Sequence, residues 1–207
     1  MFLHKTPTVI RWLYPQLKWT VPTDEKIIHL TFDDGPIPGI TDFILDSLWE
    51  HQANATFFCV GDNLQKHPQI AKRAINEGHL LANHTYNHLN GWDTNTCEYL
   101  QNIEKCTEQL LQLGQKKKLL RPPYGKIRRE QISRLKMEYD IIMWDVLSGD
   151  YSRKIDPQSC LQNSIKATRP GSIVLFHDNI KAEKNLKYTL PRYLQHFKRA
   201  GYQFKTL

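Results

Sequence analysis

Short apolar runs alternate with segments of helical periodicity about seven times along these 207 residues, and no other feature constrains the fold as much. Lys26-Ile27-Ile28-His29-Leu30 reads as a buried strand, and the apolar positions of 40–51 fall at helical spacing. Further strands are predicted at 55–60, 79–84, 119–121, 140–146, 172–177 and 202–207. Helices are predicted between them over 69–77, 95–113, 128–137, onward from Asp156-Pro157, and over 186–200. Asn95 and Glu98 have capping-box spacing, and Asp156-Pro157 is an N-cap followed by a first-turn proline. Strand–helix alternation argues a parallel sheet with crossover helices. Several runs are apolar on both faces, as a sheet covered on both sides requires. An open doubly wound sheet and a closed barrel both satisfy this pattern. No glycine-rich phosphate loop follows the first strand, which weighs against nucleotide binding.

The length suits one domain with a core that needs no disulfide staples. Residues 1–22 read as an N-terminal extension packed on the domain through Trp12, Leu13, Tyr14, Leu17 and Trp19, and 23–207 read as the domain itself. The four cysteines show no Cys-x-x-Cys or zinc-finger spacing and are expected to be reduced, with Cys59 in the core. The net charge of +7 has one dense run, Lys116-Lys117-Lys118, near a helix end where lysines suit the dipole, so no nucleic-acid partner is expected. No apolar run reaches membrane-spanning length. Met1–Trp19 shows neither a continuous apolar stretch nor a small-residue cleavage site, so the sequence as written reads as cytoplasmic.

Titratable residues collect where the predicted strands end: Asp33-Asp34, His84 to His88, Arg121, Asp145 to Asp150, and His177-Asp178. Groups at five exits of one sheet point to a site at one end of it. Adjacent residues at a strand end face opposite ways, so Asp33 and Asp34 can do different jobs, one at a metal and one at a reacting water. On a helical turn, the spacing of His84 and His88 would put both imidazoles on one side, and two His with one carboxylate form a common catalytic metal set.

Thr31-Phe32-Asp33-Asp34-Gly35-Pro36, His84-Thr85-x-x-His88, Arg121-Pro122-Pro123-Tyr124, Asp150-Tyr151 and Leu175-Phe176-His177 together resemble the ordered motifs of the polysaccharide deacetylases, the NodB-type domain of carbohydrate esterase family 4. The resemblance runs from about Lys26 to the C-terminus. It implies a distorted (β/α) barrel of about seven parallel strands. It also implies a divalent metal, usually Zn2+ with Co2+ or Ni2+ as alternatives, held by Asp34, His84 and His88. By the same resemblance Asp33 is the base, oriented and charge-balanced by Arg121, and His177 is the acid, positioned by Asp150. Tyr124 lends a backbone N–H to the oxyanion, and Pro123, Tyr151 and Leu175 belong to the substrate pocket. Tyr151 stands where the family usually has Trp, so the acetyl pocket would differ in shape. The implied reaction is hydrolysis of acetyl groups from N-acetylated sugars of peptidoglycan or chitin type. O-acetyl ester hydrolysis, small-amide hydrolysis on the same barrel, and non-catalytic sugar binding are the rival readings.

Overall fold

The computed structural model describes residues 2–207. At its centre lies β1 (Ile27–Asp33), buried along its length except at Ile27. It pairs with β2 (Ala55–Cys59) on one side and β7 (Ile173–His177) on the other, in parallel. Beyond β2 follow β3 (Leu80–Asn83), β4 (Leu119–Leu120) and β5 (Asp140–Ile141); beyond β7 lies β6 (Val146–Leu147). The short β8 (Gln203–Phe204) pairs with the first residues of β1. Every pairing in this path is parallel, and the sheet curls into a partial barrel. The expected distorted (β/α) barrel of about seven parallel strands is the fold.

The register puts one aromatic on each of the three central strands at the same level. Phe32 is opposite both Phe57 and Phe176, with ring centroids 5.1 and 6.1 Å away. A slip of one residue would turn these rings to the other face, so the aromatic layer fixes the register. Helices pack around it: α2 (Ile40–Glu50) buries Ile40, Ile44, Leu45 and Leu48, and α8 (Glu183–Arg199) buries Leu186, Leu190, Tyr193, Leu194 and Phe197. The capping signals act as expected. The Asn95 side chain accepts the Glu98 N–H at 2.9 Å ahead of α5 (Thr96–Gln112), and Asp156 accepts the Ser159 N–H at 2.9 Å ahead of α7 (Pro157–Ala167). Two helices lie outside the predicted set: α1 (Thr8–Leu13) and α3 (Gly61–Lys66), the latter followed directly by α4 (Pro68–Asn76). Gly61 begins α3 in close contact with Tyr86, since a Cβ there would lie 2.5 Å from that ring.

The strand predicted over 140–146 is broken into β5 and β6, and the break has a visible cause. The Arg121 side chain takes the carbonyls of Ile142 (3.3 Å) and Met143 (2.9 Å). The N-terminal segment bridges the same gap: Lys18 pairs with Ile142 and Lys5 with Val146, while the Met143 N–H donates to Lys18 O at 2.7 Å. Asp145, almost wholly buried, receives Lys5 Nζ (2.9 Å), Arg11 Nη1 (3.4 Å) and the Ser172 hydroxyl (2.7 Å). A residue expected at the active end is instead a clasp for the segment that closes the barrel. Asp145→Ala would leave Ser172 without that acceptor and both cations without their partner. It is expected to cost about 1–3 kcal/mol in urea unfolding and to speed amide exchange at Thr6 and Lys18; an unchanged midpoint would contradict the clasp.

Candidate active site

β1, β3 and β7 run in the same direction, so their C-terminal ends bring Asp33, His84 and His177 to one edge. There they line a cavity of about 620 Å³ with Asp34, His88, Tyr124, Tyr151 and Leu175. Three of the sequence-predicted residues are absent from its lining: Arg121 and Asp150 are fully buried, and Pro123 is buried in the short turn that it forms with Tyr124.

The two carboxylates take different main partners, although Asp33 Oδ2 also comes within 3.8 Å of His84 Nε2. Asp33 Oδ1 accepts Arg121 Nη1 at 2.7 Å, and Arg121 is held further by the Thr31 hydroxyl at 2.8 Å. Asp34 turns away at φ 93° toward His84 and His88. Its Oδ1 lies 3.0 Å from His88 Nε2 and 3.6 Å from His84 Nε2. The histidines reach it from a loop, correcting the expectation of a helical turn. Thr85 and His88 both have positive φ, and this backbone, with no helix, places the rings 5.1 Å apart. The loop is held by side chains: Asn83 Oδ1 accepts the Thr85 N–H, and Asn102 Oδ1 accepts those of Tyr86 and Asn87.

Asp34, His84 and His88 each offer a ligand atom within 4.8 Å of the others. The donor chemistry of this group fits a divalent cation. His84 Nδ1 is 2.8 Å from the Arg121 carbonyl, which can only accept, so Nδ1 carries a proton. Nε2 is then the ring nitrogen turned toward the Asp34 carboxylate, where a ligand nitrogen would stand. The Arg121 carbonyl is the outer partner that a ligating histidine ordinarily has. Burial works to raise the Asp34 carboxyl, but hydrogen bonds from the two imidazoles outweigh it and hold the group well below the usual carboxylate range.

Across the cavity, His177 Nδ1 is 2.8 Å from Asp150 Oδ1, while Asp150 Oδ2 accepts the His177 N–H at 2.7 Å. A carboxylate only accepts, so Nδ1 is protonated and Nε2 is the nitrogen turned from Asp150. Burial works to lower the His177 pKa, but the Asp150 carboxylate beside it raises it to about 9. The Asn185 amide fixes the Asp150 carbonyl at 3.0 Å from α8. Tyr124, in the left-handed region at φ 61°, sits edge-on to His88 with ring centroids 4.6 Å apart. Tyr151 sits edge-on to His177 at 4.8 Å.

Trp144, Leu147, Asn179 and Asn63 escape the sequence pattern, whereas Asp178 is among the strand-exit residues it marks. Trp144 and Leu147 join Tyr151 and Leu175 in the apolar part of the cavity wall. Asn179 donates to Asp34 Oδ2, and Asn63 on α3 donates to the Asp34 carbonyl at 2.7 Å. Asp178, buried, accepts the Gly35 N–H and the Thr41 hydroxyl, each at 2.8 Å, and burial pushes its pKa up to about 7. A Cβ on Gly35 would lie 1.7 Å from this carboxylate, so the turn after Asp34 requires glycine. Asn179 directly follows Asp178 at that strand exit, and this position is the signal for it. Asn63 carries no signal, since it belongs to an unpredicted helix.

Comparison with known proteins agrees with this architecture. The family model "Polysaccharide deacetylase" matches residues 20–139. A peptidoglycan-N-acetylglucosamine deacetylase of Bacillus cereus is 39% identical over 158 residues, which is 75% of this chain and 57% of that protein. This chain thus spans little more than half of that relative. A second Bacillus cereus protein of the same description is 35% identical over 193 residues, covering 91% of this chain and 90% of its own length. A crystal structure of a peptidoglycan N-acetylglucosamine deacetylase superposes with a TM-score of 0.89 at 34% identity, covering 98% of this chain and 95% of that one. The chain belongs to the polysaccharide deacetylase family.

Proposed function

We propose that this protein is a metal-dependent hydrolase that removes acetyl groups from N-acetylated sugars of peptidoglycan or chitin type. The observation that carries this reading is one cavity wall that brings together the Arg121-paired carboxylate of Asp33, the trio Asp34, His84 and His88, and the Asp150-paired imidazole of His177. The relatives' descriptions supply the class of substrate.

Asp34, His84 and His88 would hold the cation, with Zn2+ favoured by the nitrogen-rich donor set and Co2+ or Ni2+ as substitutes. When bound, it supplies Lewis acidity for the attacking water and the amide carbonyl. Asp33 accepts the proton of that water, a step typically worth about 10²–10⁴-fold. Arg121 keeps the Asp33 carboxylate aimed and charge-balanced from behind. The tetrahedral oxyanion receives the Tyr124 backbone N–H, and preorganised donors of this kind stabilise charge as it develops. The amine leaves only if protonated, and His177 Nε2 delivers that proton while Asp150 holds the ring. Tyr151, Leu175, Trp144 and Leu147 enclose the acetyl methyl. Water and acetylated amine become acetate and free amine, with the proton passing in through Asp33 and out through His177.

The direct test is acetate release from chitin oligomers and peptidoglycan fragments, before and after chelation. Release is expected to vanish with chelator and return with zinc; release that persists in chelator would contradict the metal role. His177→Ala is expected to depress amide hydrolysis by about 10²–10⁴-fold while sparing an activated ester, whose leaving group needs no proton. Equal loss on both substrates would remove His177 as leaving-group acid. The acid form of His177 is present below its pKa, so kcat/KM is expected to fall as pH rises through about 9. Asp150→Asn removes the raising charge and is expected to move that alkaline limb to lower pH; an unmoved limb would detach it from this pair.

A further inference from the structure

We propose that Asn179 is a positioning residue of the metal group: its side-chain amide holds the Asp34 carboxylate so that Oδ1 is the oxygen offered to the cation. The inference rests on the metal reading of Asp34, His84 and His88 given above. Asn179 lies outside that trio, two residues past His177 at the exit of β7.

The main chain of Asp34 is held by other groups. Its N–H donates to the Phe58 carbonyl at 3.2 Å, and its own carbonyl accepts from Asn63 at 2.7 Å. Neither bond stops the side chain from turning, and a carboxylate that turns can present either oxygen, or both, to a cation. Asn179 removes that freedom. The Ala182 N–H donates to Asn179 Oδ1 at 3.0 Å, so Nδ2 is the end that faces Asp34 and donates to Oδ2. Oδ2 is thereby engaged, and Oδ1 is left toward His88 Nε2 at 3.0 Å and His84 Nε2 at 3.6 Å. The amide is itself anchored on two sides. Just before it, the Asp178 N–H donates to the Asp33 carbonyl at 3.0 Å; just after it, Ala182 leads into α8.

The kind of donor matters as much as its place. Asp33 and Asp34 each give one oxygen to a protein group, but Arg121 brings a positive charge to Asp33. The Asn179 amide is neutral, so it fixes Asp34 and leaves the whole negative charge of that carboxylate to the cation. This difference favours Asp34 as the ligand, although Asp33 Oδ2 also lies 3.8 Å from His84 Nε2. Hydrogen-bonded partners of ligating groups typically contribute about 10–100-fold to metal affinity.

The test titrates Zn2+ into the metal-free full chain against a chromophoric chelator, beside urea unfolding of the same metal-free protein. Serine ranks with asparagine as a cap, so Asn179→Ser keeps an acceptor for the Ala182 N–H while its shorter side chain withdraws the donor from Asp34. Asn179→Ser is expected to bind zinc about 10–100-fold more weakly with an unchanged urea midpoint. Asn179→Ala is expected to show the same loss of zinc affinity. Wild-type zinc affinity in both variants would overturn the proposal and leave the metal reading standing. A lowered midpoint with unchanged affinity would assign Asn179 to the fold and overturn it equally. A wild-type chain that binds no zinc would remove the metal reading, and this inference with it. Acetate release is not read, so the choice of substrate has no bearing on the result.

Discussion

The guanidinium of Arg121 is the group on which both barrel and site depend. It has no solvent exposure, and its donors go to Thr31, Asp33, Ile142 O and Met143 O, while its carbon lies 4.1 Å from the Phe58 ring centroid. A buried charge is tolerated only when paired and fully hydrogen-bonded. Here the pairing joins the central strand to the gap between β5 and β6. One residue therefore orients the proposed base and occupies the place where sheet hydrogen bonding lapses. Its carbonyl fixes the proton of His84 on Nδ1, so the same position orients a residue of the proposed metal group as well.

Around this anchor, the site is built on strained backbone. Asp34, Thr85, His88 and Tyr124 all have positive φ, a conformation that costs non-glycine residues energy and persists only where the surroundings enforce it. The enforcement is identifiable: Asn63 on the Asp34 carbonyl, Asn83 and Asn102 on the histidine loop, and Asp178 on the Gly35 N–H. Their work is to hold ligand and pocket residues in positions that local preference alone would not populate.

Much of this is legible in the amino-acid order because the relevant signals are short-range. Period-two and helical patterns mark the strands and their crossovers. A parallel sheet sends every strand exit to one edge, so the order of residues alone groups Asp33, His84 and His177. What is not legible depends on contacts between distant segments. The split of 140–146 is set by Arg121 and by the N-terminal clasp, neither of which alters the β pattern of the run itself. Asp145 has the pattern of a site residue because it lies at the end of a strand-like run, yet Lys5 and Arg11 draw it into the clasp. The loop path of His84 to His88 is set by Asn102 on α5, which no spacing rule reveals. Trp144 reads as strand interior and Leu147 as the residue just past the strand, yet both wall the cavity.

The central claim is that two neighbouring carboxylates divide the chemistry, Asp33 accepting a proton and Asp34 holding the cation. The most direct measurement compares zinc content and turnover in Asp33→Asn and Asp34→Asn under the same conditions. The account expects Asp33→Asn to retain about one zinc per chain with turnover lost, and Asp34→Asn to lose zinc and turnover together. Zinc lost from Asp33→Asn and kept by Asp34→Asn would reverse the two assignments and contradict the account.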